Sequence, residues 1–171
     1  MTIPRNLSTL ASGINTSGVL GVANGGTGSI PAFSAYLNAD QSVTTSTFTK
    51  VQLSLENFDT TSNFNTSTYR FTPTIGGYYQ FNWVLSGFNS TTISRCLSAI
   101  YKNGAVYQYG QDGAVVTGSA ATSTGSCLLY CNGSTDYVEL YAFITATTPV
   151  VSTFTSSQIY TNMTGHLVGV A

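Results

Sequence analysis

Charge is scarce in this chain: 5 Lys and Arg and 6 Asp and Glu in 171 residues, 6% of the sequence, with a net charge of −1. A globular domain ordinarily carries about a quarter. Phosphate backbones and anionic membranes are bound by clustered Lys and Arg. Here Arg5, Lys50, Arg70, Arg95 and Lys102 are scattered, which argues against nucleic acid or a membrane surface as partner. No apolar run approaches the roughly 20 residues of a spanning helix, so membrane insertion is not expected. The start, MTIPRNLSTLASG, lacks the basic start and apolar run of a signal peptide. Histidine is nearly absent. His166 is the only one, so no Cys/His group has zinc spacing.

Apolar residues are plentiful, at 42% hydrophobic and 12% aromatic, and the length suits one domain with a short appendage. The polar residues are of one kind: 27 Thr and 21 Ser, with 12 Asn and 17 Gly. Thr favours strands, while Ser, Asn and Gly favour turns and weaken helices. The composition therefore predicts an all-β domain. Cys127 and Cys131 lie four apart in an apparent strand, roughly 13 Å from each other, too far for a bridge. Only Cys96 could pair with either, and all three read as small buried apolar residues.

Residues 1–32 differ from the rest. Ile3, Leu7, Leu10 and Ile14 are spaced 4, 3 and 4 apart, followed by a glycine-rich stretch that Pro31 closes. One and a half heptads is too short for a free coiled coil. The segment reads either as the end of a longer multimeric stalk or as an extended arm. From Phe33 onward short alternating runs are separated by turn residues, which predicts a sandwich or barrel. The runs are 33–37, 48–55, 68–72, 78–86, 96–102, 105–109, 126–131, 136–145 and 163–170. Asn103-Gly104 is a two-residue hairpin signal, and 114–125 and 146–157 are looser, readable as strands or as long loops.

In 48–55, Val51, Leu53 and Leu55 alternate with polar residues, giving one buried face. Two other runs are apolar on both faces. In 136–145, Val138, Leu140, Ala142 and Ile144 oppose Tyr137, Tyr141 and Phe143; in 78–86, Tyr79, Phe81, Trp83 and Leu85 oppose Tyr78 and Val84. A two-sheet sandwich buries one face of each strand, so the second face calls for another cover. A second copy of the chain is the simplest.

Catalysis finds little support. A nucleophilic triad would depend on His166, which lies in an apparent strand. Asp40, Glu56, Asp59, Asp112, Asp136 and Glu139 single out no pair for glycoside hydrolysis. GVANGGTG lacks the Lys-Ser/Thr of a phosphate-binding loop. No enzyme activity is expected. Binding is better served. Tyr107, Tyr109, Gln111 and Asp112, in AVYQYGQDG, mix flat rings with short polar groups, a combination that suits a saccharide. The same tyrosines are read more readily as members of a strand and its sandwich.

Phe71, Gly77, Tyr79 and Phe81 follow an F-x5-G-x-Y-x-F spacing that resembles the core signature of the complement C1q/tumour necrosis factor superfamily. Lys102-Asn103-Gly104, then Asp136, Val138 and Leu140, then Gly165 and Leu167 resemble further elements of the same family in the same order. Pro73, one place early, and Met163 and His166, in place of aromatics, mark a remote branch. The resemblance spans residues 33–171 and implies a two-sheet antiparallel jelly roll that assembles as a homotrimer. Phe33, Tyr79, Phe81, Tyr141, Phe143 and Leu167 are then candidates for its core or trimer interface. It also raises calcium, with Asp112 as the one ligand candidate against a plain Asp-Gly turn, and implies no other cofactor. The preceding GVLGVANGGTGS resembles the V-A-N-G-G-T-G element of bacteriophage tail fibres. Together they imply a shaft segment at 1–32 and a head domain at 33–171. The expected role is the receptor-binding tip of a virion tail fibre, acting outside the cell, joined to other fibre segments and adhering to a host surface saccharide. The alternatives are a purely structural trimerisation knob and a secreted C1q-like lectin or ligand.

Overall fold

The computed structural model describes residues 29–89, 91–113, 116–117, 120–153 and 159–171. The apolar spacing from Ile3 to Ile14 and the glycine-rich element before Ser29 lie outside the described residues. In chain order the strands are β1 (Ala32–Tyr36), β2 (Gln41–Ser42), β3 (Thr49–Lys50), β4 (Leu55–Asp59), β5 (Phe64–Asn65), β6 (Arg70–Phe71), β7 (Gly77–Phe88) and β8 (Thr92–Ile93). They continue with β9 (Arg95–Lys102), β10 (Ala105–Tyr109), β11 (Val116–Thr117), β12 (Ala120–Cys131), β13 (Val138–Thr145), β14 (Val150–Val151) and β15 (Asn162–Val170).

Two antiparallel sheets face each other. The first runs β12-β7-β15-β1-β4; past the end of β15, β14 takes its place beside β7 and carries β2. The second runs β10-β9-β13, and the far side of β13 is shared by β3 and by β6, which carries β5. β8 and β11 form a small separate ribbon. Among the described residues there is no helix, and so none long and apolar enough to cross a membrane. Pro31–Ala171 forms one compact unit.

Strand alternation builds the core. On β7, Tyr79, Phe81, Trp83 and Leu85 are buried; on β13, Val138, Leu140, Ala142 and Ile144 are fully buried. These rows meet between the sheets, as the two-sided pattern of a sandwich requires. Rings of Phe33, Phe71, Tyr79 and Phe81 pack with centroids 4.5 to 6.3 Å apart. Asn103 and Gly104, both with positive φ (52° and 80°), turn β9 into β10 as a two-residue hairpin.

One expectation changes, and one open reading is resolved. The run 48–55 is not one strand: β3 pairs with β13 in the second sheet, whereas β4 pairs with β1 in the first. Residues 51–54 cross between the sheets, which interrupts the alternation. Val51 and Leu53 are buried but Leu55 is 39% exposed. The looser stretch before Ser126 turns out to be strand from Ala120, so β12 lies against the whole of β7. All three cysteines are free thiols. Burial raises Cys96 and Cys127 to about 11 and Cys131 to about 12, so none is a thiolate at neutral pH.

Candidate functional site

β10 is an edge strand with all five residues exposed. After it ends, the chain stays attached to both sheets. The Gly110 N–H donates to Ser98 O (2.8 Å) and the Gly113 N–H to Cys96 O (2.8 Å) along β9, while the Gln111 N–H donates to Thr124 O (2.7 Å) on β12. This closes the edge of the sandwich and holds Asp112 out toward Arg95.

Arg95 and Asp112 form a side-on pair. Arg95 Nε lies 3.0 Å from both carboxylate oxygens and Nη2 lies 2.7 Å from Oδ2. The hydrogen bonds and charge of Arg95 hold the Asp112 carboxyl below its ordinary range. Both side chains are open to solvent, 47% and 51% exposed. Beside them is an aromatic platform on the outward face of the second sheet. The Phe48 ring lies 5.1 Å from Phe143 and 5.9 Å from Tyr109, and the Arg95 guanidinium stands 5.4 Å over Phe143. A cavity of about 320 Å³ lies between Phe48, Leu97, Tyr109, Phe143, Gly110 and the ion pair.

Of the four residues expected at a binding loop, the structure brings together Tyr109 and Asp112. Tyr107 sits at a bulge in β10 and its hydroxyl donates to Leu128 O on β12, 3.2 Å away. Gln111 contributes its backbone, which also accepts from Ser123 Oγ. Arg95, Phe48 and Leu97 were not singled out from sequence. Arg95 opens the 95–102 strand, where alternation places it on one face with Leu97. Phe48 reaches the platform through a loop and carries no local signal.

The outward face of β13 receives part of its cover from this chain rather than from a second copy. Phe48 lies over Phe143, Tyr141 stacks on Tyr101 at 3.8 Å, and Glu139, 2% exposed, is held by Arg70 (2.9 Å) and Lys50 (3.2 Å). Of the other core or interface candidates, Phe33, Tyr79 and Phe81 are in the core and Leu167 packs against it. The outward side of the first sheet instead exposes Tyr78, Leu128 and Tyr130, and Val168 and Val170 are exposed near the end of β15. His166 is exposed on β15, opposite Ala32 and Gln80.

Asp112 does not fit a calcium site. Both its oxygens face a guanidinium that would repel the ion, and among the described residues no group of three or more His, Cys, Asp or Glu converges.

Neither a family model nor a curated protein matches the sequence. Solved structures do match the fold. The globular domain of zebrafish complement 1qA protein superposes with a TM-score of 0.60 at 17% identity, over 83% of this chain and 99% of that one. The chain has the C1q/TNF jelly-roll fold. Eiger TNF from S. frugiperda matches with a TM-score of 0.59 at 9% identity, over 84% of this chain and 96% of that one. Murine APRIL matches at 0.55 and 8% identity, over 81% and 99%. In this C1q/TNF-like domain the aromatics of the F-x5-G-x-Y-x-F run, Phe71, Tyr79 and Phe81, are all fully buried, which explains why that spacing reports the fold.

Proposed function

We propose that this chain is the receptor-binding head of a virion tail fibre, a non-catalytic adhesin acting outside the cell, with residues 1–32 as the end of its shaft. The cleft beside Arg95 and Asp112 carries this reading. It joins flat rings to exposed hydrogen-bonding groups, the combination that binds a saccharide. A homotrimer packed through the exposed face of Tyr78, Leu128 and Tyr130 would present three such clefts, and linked weak contacts raise overall avidity. The V-A-N-G-G-T-G element supports the fibre assignment. A second reading, a C1q-like ligand, draws support from the likeness to complement and TNF domains.

The test is binding of the labelled full chain to a panel of bacterial and animal cells before and after periodate treatment. Adhesion to bacterial cells that periodate abolishes is expected. Binding confined to animal cells would favour the C1q-like ligand, and binding to no cell would favour a structural knob.

A further inference from the structure

We infer that the cleft between Phe48, Tyr109 and Phe143 takes an uncharged sugar and selects against sialic acids, uronic acids and other anionic glycans. This deepens the adhesion reading above and rests on it.

The first reason is the state of Arg95, the one cation among the described residues that line the cleft. An acidic sugar is usually recognised by an arginine fork that meets its carboxylate in a bidentate way. Here the fork is already occupied along its Nε–Nη2 edge by Asp112, with three contacts between 2.7 and 3.0 Å. An incoming carboxylate is left with the end-on Nη1–Nη2 edge, where it would sit beside the negative charge of Asp112. No other described cation is free to replace Arg95. Lys50 and Arg70 are bound to Glu139, and Lys102 to Asp136.

The second reason is that the pair, left intact, has what a polyol needs. The carboxylate keeps acceptor capacity beyond its Arg95 bonds, and the guanidinium keeps N–H donors on Nη1. One group therefore accepts from a sugar hydroxyl while the other donates to its neighbour, and the charge of the cleft stays balanced. Because both side chains are about half exposed, sugar hydroxyls would replace water on them rather than being forced into a dry site.

The third reason is shape. Tyr109 is 51% exposed and stands at the cleft with the half-buried rings of Phe48 and Phe143, which offer an apolar face to the C–H side of a pyranose. A volume of about 320 Å³ is at the small end for ligand sites, about 300 to 1,000 Å³, and suits a terminal sugar.

The experiment titrates the full chain with methyl galactoside, methyl mannoside and methyl glucoside as neutral probes. Sialyllactose and methyl glucuronide are the acidic probes. Each is run at about 50 and about 500 mM NaCl, which changes screening several-fold. At least one neutral probe should bind with a Kd that changes less than about twofold with salt, and the acidic probes about tenfold more weakly. Asp112→Asn and Tyr109→Ala should each weaken the neutral probe about fivefold or more, and Asp112→Asn should leave thermal unfolding unchanged, since an exposed pair adds little to stability. Salt-sensitive binding of an acidic probe in preference to the neutral ones would overturn the assignment while leaving adhesion intact. Neutral binding unaffected by both substitutions would place the sugar elsewhere and overturn it too. Silence from every probe overturns the assignment, and the cell-binding result then decides separately whether adhesion survives.

Discussion

Trp83 donates its indole N–H to Ser98 Oγ across the sandwich, 2.7 Å away, joining β7 of one sheet to β9 of the other. The chain of bonds continues: Ser98 Oγ lies 2.7 Å from Ser123 Oγ, and Ser123 donates to Gln111 O. Ser123 has spent its proton on that carbonyl, so Ser98 must be the donor between the two hydroxyls, and the direction of the relay is fixed. Ser98 and Ser123 are fully buried. Ser98→Ala therefore strands a buried indole N–H, and should cost about 1 to 3 kcal/mol in urea unfolding. In a Trp83→Phe background, where no indole N–H remains, the same change should cost clearly less. Equal costs in both backgrounds would show that the bond contributes nothing.

Gly125 stands opposite Trp83 in the β12–β7 register, and a Cβ there would run into the indole ring. The substitution Gly125→Ala thus overpacks the core without introducing any polar group. A loss of about 1 to 3 kcal/mol is expected, read as a lower denaturation midpoint with an unchanged m-value. The double variant Gly125→Ala, Trp83→Leu should recover part of it.

Asp136 accepts from Asn103 Nδ2 (2.7 Å) and the Asn132 N–H (2.9 Å), and pairs with Lys102 Nζ (2.9 Å). Burial by itself would raise its carboxyl, but the bonds from Asn103, Lys102 and Asn132 outweigh it and hold it below the ordinary 3.8. A carboxyl depressed on folding stabilises above its unfolded value, and that contribution is lost as pH falls through the folded one. Asp136→Asn should therefore destabilise at pH 7 by about 1 to 3 kcal/mol. The deficit against the native chain should shrink as pH falls below 3.8. A deficit that stays constant from neutral pH into acid would contradict the ionised role.

Leu128 and Tyr130 are 49% and 42% exposed on β12, with Tyr78 packed against Tyr130 at 5.6 Å. Light scattering should give a mass near 54 kDa (3 × 18.0) that persists on dilution. Leu128→Arg should yield an 18.0 kDa species with native circular dichroism, because the position does not contribute to the monomer's core. A native chain that is monomeric at all concentrations would remove both the trimer and the avidity it supplies.

The fold was legible where alternation is strict along a single long strand. Tyr79 to Leu85 and Val138 to Ile144 face the core as their period of two requires, and Asn103-Gly104 turns where its chemistry permits positive φ. The reading failed at Leu55, because residues 51–54 leave one sheet for the other and a period of two has meaning only within a single sheet. The cleft was half legible. Tyr109 and Asp112 are close in sequence, whereas Phe48 comes from the loop before β3 and Phe143 from β13, and no local pattern records their meeting.

Composition and period, then, determined an all-β sandwich with aromatic rows inside it, because strand propensity and burial are set residue by residue along the chain. Sheet pairing alone decided which outward face Phe48, Lys50 and Arg70 would cover and which would remain bare. It also decided that Arg95 would meet Asp112. Those contacts depend on how distant strands are ordered and on where the loop after β10 is tied to both sheets, and neither is written in the spacing of neighbouring residues.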